Sequence, residues 1–281
     1  MLFFMFLLVF FLSLVSMLMN NVLVWWSIFL LMTLLFVMLN KSMMSYSGLF
    51  NYFVLQESLG LVFLLFSFGW MQLFIILFKV GVAPLHFWIF NVMNSVFGFN
   101  LMWFLTFQKL PFLLVLLQFM LSNMIFVLVL GLLMCMIQML LTKSYKNLLI
   151  LSSTESFNWV LMGFIMSFFN VFLIFLYYFF IMLYLIPKYE LMSFKGFLGW
   201  ETMLVFMNLP FSVSFFVKIF ALTEMLKIYD LVVLLLLFMM FLSVLSLSFW
   251  LVNLSVKNLM DYKYSKSLYF FVLPMMMLVL L

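Results

Sequence analysis

The chain has 281 residues, of which 70% are hydrophobic and 7% charged, and its mean hydropathy is +1.42. A water-soluble protein of this length has too little interior to bury so many apolar side chains, so the composition excludes a soluble globular domain and indicates a protein embedded in lipid. The net charge of +5 comes from lysine without any arginine. Arginine supplies the planar fork that favours nucleic-acid and phosphate recognition, so no nucleic-acid partner is expected.

The sequence offers few ligands for a redox centre. It has one cysteine, Cys135, and one histidine, His86. An iron–sulfur cluster needs several cysteines and a bis-histidine haem needs a second histidine. No Gly-x-Gly-x-x-Gly run is present to bind a nicotinamide cofactor. We therefore expect this chain to hold no cofactor and no metal, and any electron transfer to take place elsewhere.

Apolar segments of about 20 residues between polar breaks predict an all-α polytopic membrane protein with about eleven transmembrane helices, in one transmembrane domain over 1–281. The first segment has no charged n-region and no small-residue cleavage site, so we expect a retained helix and not a signal peptide. The predicted spans are 2–19, 22–39, 48–68, 70–94, 100–121, 123–141, 147–167, 168–187, 200–226, 229–252 and 265–281.

Lysines outside these spans are distributed unevenly between the two faces. If the helices alternate in direction, the loops after helices 2, 6, 8 and 10 hold eight lysines and the opposite loops hold only Lys227. The positive-inside rule then places the N-terminus and the lysine-rich loops on the cytoplasmic or matrix side. The eight are Lys41, Lys143, Lys146, Lys188, Lys195, Lys257, Lys263 and Lys266.

Three further lysines, Lys79, Lys109 and Lys218, fall inside predicted helices. A charge at the bilayer centre costs about 3 kcal/mol on insertion scales, so intramembrane lysines usually face the bundle interior and serve a function such as proton transfer. The alternative is a lysine that extends its stem to place the amine at the membrane interface. That alternative is stronger for Lys218, which is nearer a helix end, than for Lys79.

Two of these lysines share a helix with a proline. Pro84 follows Lys79 in predicted helix 4, and Pro210 precedes Lys218 in predicted helix 9. The two helices hold equivalent positions in two five-helix sets of opposite orientation, the arrangement in which broken helices form ion sites near the midplane. An ordinary proline kink is the alternative for either proline alone. The predicted repeats cover about 1–121 and 123–252, followed by a terminal helix at about 265–281.

Acidic residues provide candidate partners for the lysines. Helices 3 and 4 are predicted to be antiparallel, which brings Glu57 and Lys79 to a similar depth. Separating a buried glutamate–lysine pair would release or recruit a proton, so this pair is a candidate switch. Glu155 follows three hydroxyl-bearing residues in helix 7, a stretch that water can wet.

Two further residues have two interpretations each. Glu224 lies near the end of helix 9 and is either part of a proton relay or an interfacial charge. His86 is either a neutral proton carrier between Lys79 and Lys109 or a structural histidine bonded to a carbonyl that Pro84 frees.

Phe78–Trp88, followed by Thr106–Pro111, resembles the paired signature of mitochondrial NADH–ubiquinone oxidoreductase chain 2, an antiporter-like, proton-pumping subunit of respiratory complex I. Weaker landmarks of that family follow in order. The arginine-free, phenylalanine-rich composition and the helix count resemble the shortened animal form, and nematode members most of all. The landmarks are Tyr52-Phe53 with Gln56, Lys146 with Ser152-Ser153 and Trp159, and Leu209-Pro210 with Lys218 and Glu224.

The resemblance implies a translocase of the mitochondrial inner membrane, multi-pass, with its N-terminus in the matrix. Electrons would pass from NADH through FMN and iron–sulfur clusters to ubiquinone in other subunits, and this chain would carry protons outward. Its partners would be other membrane-arm and accessory subunits of complex I and lipids including cardiolipin. Lys79, Lys109 and Lys218 would lie on the hydrophilic axis of the membrane arm.

The chain departs from the family at one position. The family usually has a glutamate in its second helix that partners the lysine of helix 4, and this chain has Phe29 there. We hypothesise that Glu57 substitutes for it; Glu155 is likewise unexpected from the family pattern and would extend the axis. Two alternatives stay open: a stand-alone cation/proton antiporter, and a structural membrane-arm subunit without its own proton path.

Overall fold

The computed structural model describes most of the chain, and its described part contains helices and turns but no β-strand. The chain divides into two compact units, residues 1–124 and 125–281, which are described one after the other. The described residues are 2–41, 44–66, 69–96, 98–119, 124–142, 144–166, 213–227 and 230–257, together with Phe179, Leu183 and Ile186.

Seven helices of the first unit are described. Two of their starts follow from side-chain caps: Asn21 accepts a hydrogen bond from the Leu23 backbone N–H at 2.9 Å, and Ser45 accepts one from the Gly48 N–H at 3.4 Å, the role for which these residue types are favoured. The helices are α1 (Leu2–Leu18), α2 (Val22–Asn40), α3 (Tyr46–Leu65), α4 (Gly69–Val80), α5 (Phe87–Met93), α6 (Phe99–Leu105) and α7 (Lys109–Phe119).

Predicted helix 4 is broken, as expected, into α4 and α5. Gly81 ends α4 with φ +72°, a left-handed conformation that favours glycine. The Gly81 N–H bonds to the Phe78 carbonyl and the Val82 N–H to the Leu77 carbonyl, each at 3.0 Å, the paired bonds that commonly close a helix. Pro84 then lies within the connection to α5, after a cis peptide bond.

Predicted helix 5 is also broken, which corrects the expectation of one continuous span at 100–121. Residues 106–108 form a turn between α6 and α7. Pro111 explains where α7 begins, because proline lacks a backbone N–H and is tolerated only in the first turn of a helix. The Thr106 hydroxyl donates to the Met102 carbonyl at 2.6 Å and helps to end α6. The break places Lys109 at the start of a half-helix instead of in the middle of a long one.

The core of the first unit lies where α7 packs against α1, α2 and α4, while α3 packs against α2, α4 and α5. Aromatic rings fill this core: Phe29 of α2 stacks on Phe112 of α7 with centroids 4.6 Å apart and meets Phe63 of α3 edge-on at 5.5 Å. The outer faces are apolar too, with Phe11 65% and Leu65 81% exposed, as expected of surfaces that contact lipid.

Four helices of the second unit are described: α8 (Ile125–Leu141), α9 (Tyr145–Met166), α10 (Val213–Leu226) and α11 (Asp230–Lys257). α9 packs between α8 and α10, and α11 packs against α8 and α10. As a result α9 is almost wholly buried, including the polar residues Ser152–Ser156 and Asn158. Charged or polar side chains on α9 therefore need partners within the protein.

Each predicted span that falls on described residues contains helix, and five described stretches are long and apolar enough to cross a membrane. Two predicted spans lie outside the described residues: 265–281, and 168–187 except for Phe179, Leu183 and Ile186. The first half of predicted span 200–226, which includes Pro210, lies outside them as well. The count of eleven helices and the inverted repeats stay predictions. The five stretches are Val22–Asn40, Tyr46–Leu65, Phe99–Phe119, Lys146–Ile165 and Val232–Phe249.

Candidate functional site

Lys79 is buried, 4% exposed, in the last turn of α4. Side chains of α3 and α5 add hydrogen bonds to the last carbonyls of α4, where the helix break interrupts the regular pattern. Trp88 Nε1 donates to the Phe78 carbonyl at 2.9 Å, and Gln56 Nε2 donates to the Lys79 carbonyl at 3.1 Å. The end of α4 is thus held rigidly although it lies inside the membrane-spanning bundle.

The Lys79 amine lies between α2 and α3. Its Nζ is 5.1 Å from the centroid of the Phe29 ring. Gly60 of α3 makes room for it: a Cβ atom at Gly60 would lie 3.2 Å from Lys79 Nζ and 3.3 Å from Trp26 Nε1. The amine therefore rests on the aromatic face of Phe29.

Glu57 and Lys79 do not form an ion pair within 4.0 Å among the described side chains. Glu57 Oε1 instead lies 2.7 Å from Thr33 Oγ1, whose one hydroxyl hydrogen is shared between this carboxylate and the Leu30 carbonyl, also at 2.7 Å. Thr33 lies one helical turn from Phe29 on α2, and Glu57 lies one turn from Gly60 on α3. The carboxylate is thus one turn away from the level of the amine but still close enough to interact with it electrostatically.

Lys109, the first residue of α7, is buried, 5% exposed. It lines a small enclosed cavity of about 10 Å³ together with Lys79. The two helix breaks of the first unit therefore bring two lysines from separate half-helices to the same cavity. Sequence reasoning placed both lysines inside the membrane and offered His86 as a carrier between them, but it did not predict a cavity lined by both.

Two glutamines complete the polar part of this cavity, and sequence reasoning did not assign them a role. Gln108 Nε2 donates to the Tyr52 hydroxyl at 3.0 Å and to the Met32 carbonyl at 3.1 Å, and Gln56 Nε2 donates to the Lys79 carbonyl. Gln56, Gln108 and Tyr52 all line the cavity. The signal in the sequence was the position of Gln56 and Gln108 in otherwise apolar helices, where buried amides are expensive unless bonded.

The two lysines occupy opposite ends of their helices. Lys79 lies in the last turn of α4, where the helix dipole presents its negative end, and Lys109 lies at the start of α7, where the dipole presents its positive end. The helix dipole typically stabilises a positive charge at the C-terminal end of a helix by about 0.3–1 kcal/mol and disfavours one at the N-terminal end. The two lysines that line the cavity therefore lie in electrostatically different positions on their helices.

The second unit contains a buried ion pair between Lys218 of α10 and Glu155 of α9. Both residues are 1–2% exposed, and Trp159 Nε1 donates to the same Glu155 Oε1 atom at 3.3 Å. Lys218 Nζ is also 5.8 Å from the centroid of the Trp159 ring. Lys218 is therefore buried and paired, and does not extend to the membrane interface.

The hydroxyl groups around Glu155 are turned toward their own helix. Ser152, Ser153 and Thr154 donate to the carbonyls three residues earlier, at 2.8–2.9 Å. Each hydroxyl hydrogen thus already has an acceptor. The polar stretch of α9 consists of satisfied hydroxyls beside one ion pair, and the expectation that water wets it stays a prediction.

The other predicted residues lie apart from these two sites. Glu224, near the end of α10, pairs through both carboxylate oxygens with Lys227, at 2.7 and 2.8 Å. His86 is buried at the start of α5 with its ring stacked on Phe87 at 5.1 Å, and it does not line the cavity between the lysines.

Comparison with known proteins gives the family. No protein family model matches the chain. NADH-ubiquinone oxidoreductase chain 2 of Caenorhabditis elegans is 58% identical over 269 residues, which cover 95% of each chain. NADH-ubiquinone oxidoreductase chain 2 of Ascaris suum is 51% identical over 258 residues, which cover 92% of this chain and 86% of that relative. The chain therefore belongs to the NADH-ubiquinone oxidoreductase chain 2 family.

Proposed function

We propose that this chain is a membrane-arm subunit of respiratory complex I in the mitochondrial inner membrane, with its N-terminus on the matrix side, and that it carries protons across that membrane. The names of its relatives assign them to a NADH-ubiquinone oxidoreductase. The apolar helices support a multi-pass membrane location. The uneven distribution of lysines between predicted loops supports the orientation.

The observation that carries the proton-transfer role is the meeting of Lys79 and Lys109 at one buried cavity. Burying two lysines near each other is costly, because each amine loses its water and the two charges repel. A structural role would be served better by apolar side chains of similar volume. Two amines that share one proton avoid the repulsion, and passing that proton between them is the chemistry that this arrangement allows.

In the proposed mechanism electron transfer drives the proton movement from a distance. NADH, FMN, iron–sulfur clusters and ubiquinone belong to the rest of the complex, and the chain's own part is to bind and release protons. Moving one proton against the membrane potential requires about 2.3 kcal/mol per 100 mV. Changes of charge pairing along the membrane arm would supply this free energy.

Glu57 is the proposed switch of the first unit. Its hydrogen bond to Thr33 holds it one turn from the Lys79 amine, and a change of side-chain rotamer would bring it toward that amine. A carboxylate that approaches Lys79 stabilises the proton there, and one that returns to Thr33 favours its release. In the second unit the Lys218–Glu155 pair would extend the path, with both groups already in contact.

The proposed partners are the other membrane-arm and accessory subunits, and lipids including cardiolipin. Exposed apolar side chains cover the outer faces of the described helices. Such faces are buried either by lipid or by neighbouring membrane helices.

The test replaces Lys79 by methionine, which keeps the length and the apolar stem but removes the amine. In intact complex I we expect ubiquinone reduction to persist while fewer protons are pumped per NADH oxidised. Lys41→Met, at an exposed residue after α2, is the matched control and should pump normally. A purely structural subunit predicts unchanged pumping in the assembled Lys79→Met complex, whereas a stand-alone antiporter predicts cation/proton exchange without the rest of the complex.

A further inference from the structure

We propose that the outer face of α3 packs against a membrane-spanning helix of another subunit of the complex, and that this helix presents hydrogen-bond donors to Asn51, Ser58 and Glu57. The outer face consists of six exposed residues that follow one another at spacings of four and three. This inference rests on the proposed place of the chain in complex I and names a surface that assembly would use. The six residues are Ser47, Asn51, Val54, Ser58, Leu61 and Leu65.

The composition of α3 does not match its exposure. Of the five described stretches that can cross a membrane, the two most apolar, in α2 and α11, have mean hydropathies of 2.6 and 2.7 and are only 39% and 33% buried. Phe99–Phe119 and Lys146–Ile165 have lower values, 1.5 and 1.4, and are 89% and 94% buried. The α3 stretch has the same low mean hydropathy, 1.5, but is only 28% buried. Since polar groups are costly to expose to hydrocarbon, we expect protein to cover α3 in the membrane.

Polar side chains of α3 lie on its exposed side. Asn51 is exposed, and its side-chain amide has no hydrogen-bond partner among the described residues. Ser58 is exposed near the middle of the helix, where its hydroxyl donates to the Leu55 carbonyl at 3.0 Å. In α1 and α11, by contrast, every side chain that the structure describes as exposed is apolar. An acyl chain cannot bond to an amide, whereas a neighbouring helix can, so the polar residues favour a helix as the occupant.

Glu57 adds a negative charge at the edge of the outer face, next to Ser58. The residue is half-buried, and no lysine of the described part of the chain lies within 4.0 Å of its carboxylate. One oxygen shares the Thr33 hydroxyl hydrogen with the Leu30 carbonyl. A carboxylate can accept several hydrogen bonds, and an acid inside a membrane is almost always partnered by protein groups. Charge complementarity therefore favours an occupant that carries a hydrogen-bond donor, neutral or basic, at this level.

The spacing of the outer face also fits a helical partner. Residues at alternating intervals of four and three form the seam along which two helices pack at about 20°. Asn51 and Ser58 hold equivalent seam positions one heptad apart, and Glu57 holds the flanking position from which side chains form charge pairs with the partner helix. A polar residue in such a seam fixes how the two helices are aligned. The outer face would thus select a partner by its donors as well as by its shape.

The experiment attaches a photoactivatable cross-linker to the thiol of Ser58→Cys in the assembled complex and identifies the adducts by mass spectrometry. The substitution exchanges one oxygen atom for sulfur, and the native complex gives the background because Cys135 is buried. Leu14→Cys, on the apolar exposed side of α1, is the matched control. We expect Ser58→Cys to label a membrane-spanning helix of another subunit, with a hydrogen-bond donor within one turn of the labelled residue. The control should label lipid, with a several-fold lower yield of protein adducts.

A second measurement replaces Asn51 or Ser58 by leucine, which makes α3 more apolar. A face that contacts lipid would tolerate either change. Losing one hydrogen bond between membrane helices weakens their association by about threefold on average. We therefore expect the cross-linked subunit to be retained about threefold less well when the variant complexes are titrated with detergent. Phe11→Leu, on the exposed side of α1, should retain it as the native complex does.

Three results would overturn the proposed surface. They are Ser58→Cys adducts with lipid alone, adducts only with other residues of this same chain, and native retention in both leucine variants. Each of them would leave the proposed function standing, because the chain would still be present in a complex that pumps protons. Unchanged pumping in the Lys79→Met complex would instead remove the proposed function and leave the α3 surface intact. If a leucine variant prevents assembly, the Ser58→Cys adducts still decide.

Discussion

Lys79 of α4 rests on the face of Phe29 of α2, with its amine nitrogen 5.1 Å from the ring centroid. A cation over an aromatic ring gains about 0.5–2 kcal/mol, whereas removing one partner of a buried ion pair typically costs about 3–5 kcal/mol. The amine is therefore supported without being held in a permanent charge pair. Lys218 of the second unit differs, since it contacts Glu155 directly. Lys79 is thus a buried lysine without an ion pair among the described residues, whereas Lys218 is a buried lysine in contact with an acid.

The first prediction concerns the charge of Glu57. Glu57→Gln keeps an oxygen that can accept from Thr33 but removes the negative charge near Lys79. Two unit charges inside a protein interact through space without touching, so the charge of Glu57 matters even without contact. We expect pumping per NADH to fall several-fold while the complex still assembles and reduces ubiquinone.

Glu57→Asp is the control for this prediction, because it keeps the charge and shortens the side chain by one methylene group. It should retain most of the pumping that Glu57→Gln loses. If the Glu57→Gln complex pumps as well as the native one, the charge of Glu57 is irrelevant, and Glu57 is not the proton switch of the first unit.

The second prediction uses Gly60, which lies beside the Lys79 amine. Gly60→Ala favours helix formation by about 1 kcal/mol, since alanine has the higher helix propensity. Its Cβ would, however, lie 3.2 Å from Lys79 Nζ, so the flexible amine must shift by a few tenths of an ångström. We expect an assembled complex of unchanged or slightly raised thermal stability that pumps fewer protons per NADH.

Gly69→Ala is the matched control, because a Cβ there would meet only the Phe119 ring at an ordinary 3.8 Å. It should leave pumping at the native level. Normal pumping in the Gly60→Ala complex would show that the position of the Lys79 amine does not limit proton transfer.

Polar interruptions in an apolar sequence predicted where the described helices lie, because hydrocarbon permits little besides apolar helix between them. The start of α2 at Val22 and the break after Val80 follow from nearby residues, Asn21 and Gly81–Pro84. The break between α6 and α7 had a local signal as well, Pro111, but a proline in the first turn of a half-helix looks the same in sequence as one that kinks a long helix.

The contacts between helices could not be predicted in the same way. Gln56 and Gln108 are separated by 52 positions in sequence, and nothing in the chain around either one indicates that both line one cavity. The pairing of Lys218 with Glu155 likewise depends on how α9 and α10 are rotated about their axes. An apolar helix that is hydrophobic all round gives no sequence signal for that rotation.

The third prediction tests whether Lys218 and Glu155 act as a unit. Removing one partner of a buried ion pair leaves an uncompensated charge and typically costs about 3–5 kcal/mol, whereas replacing both can be nearly neutral. We expect Glu155→Gln and Lys218→Met each to lower the thermal midpoint and the amount of assembled complex. The double variant should recover much of both losses, because the amide oxygen introduced by Glu155→Gln can still accept from Trp159 and no charge stays buried.

The Glu224–Lys227 pair provides the comparison for this cycle, because the Lys227 side chain is 65% exposed. Pairs that reach solvent contribute about 0–1 kcal/mol. Lys227 reaches solvent although the Glu224 side chain is only 9% exposed, so Glu224→Gln and Lys227→Met should have smaller effects than the buried pair, and these effects should add. Additive effects at Lys218 and Glu155 as well would mean that each side chain is stabilised by other groups. Recovered assembly without recovered pumping in the double variant would instead show that the pair serves proton transfer beyond its structural role, since two neutral side chains restore packing but bind no proton.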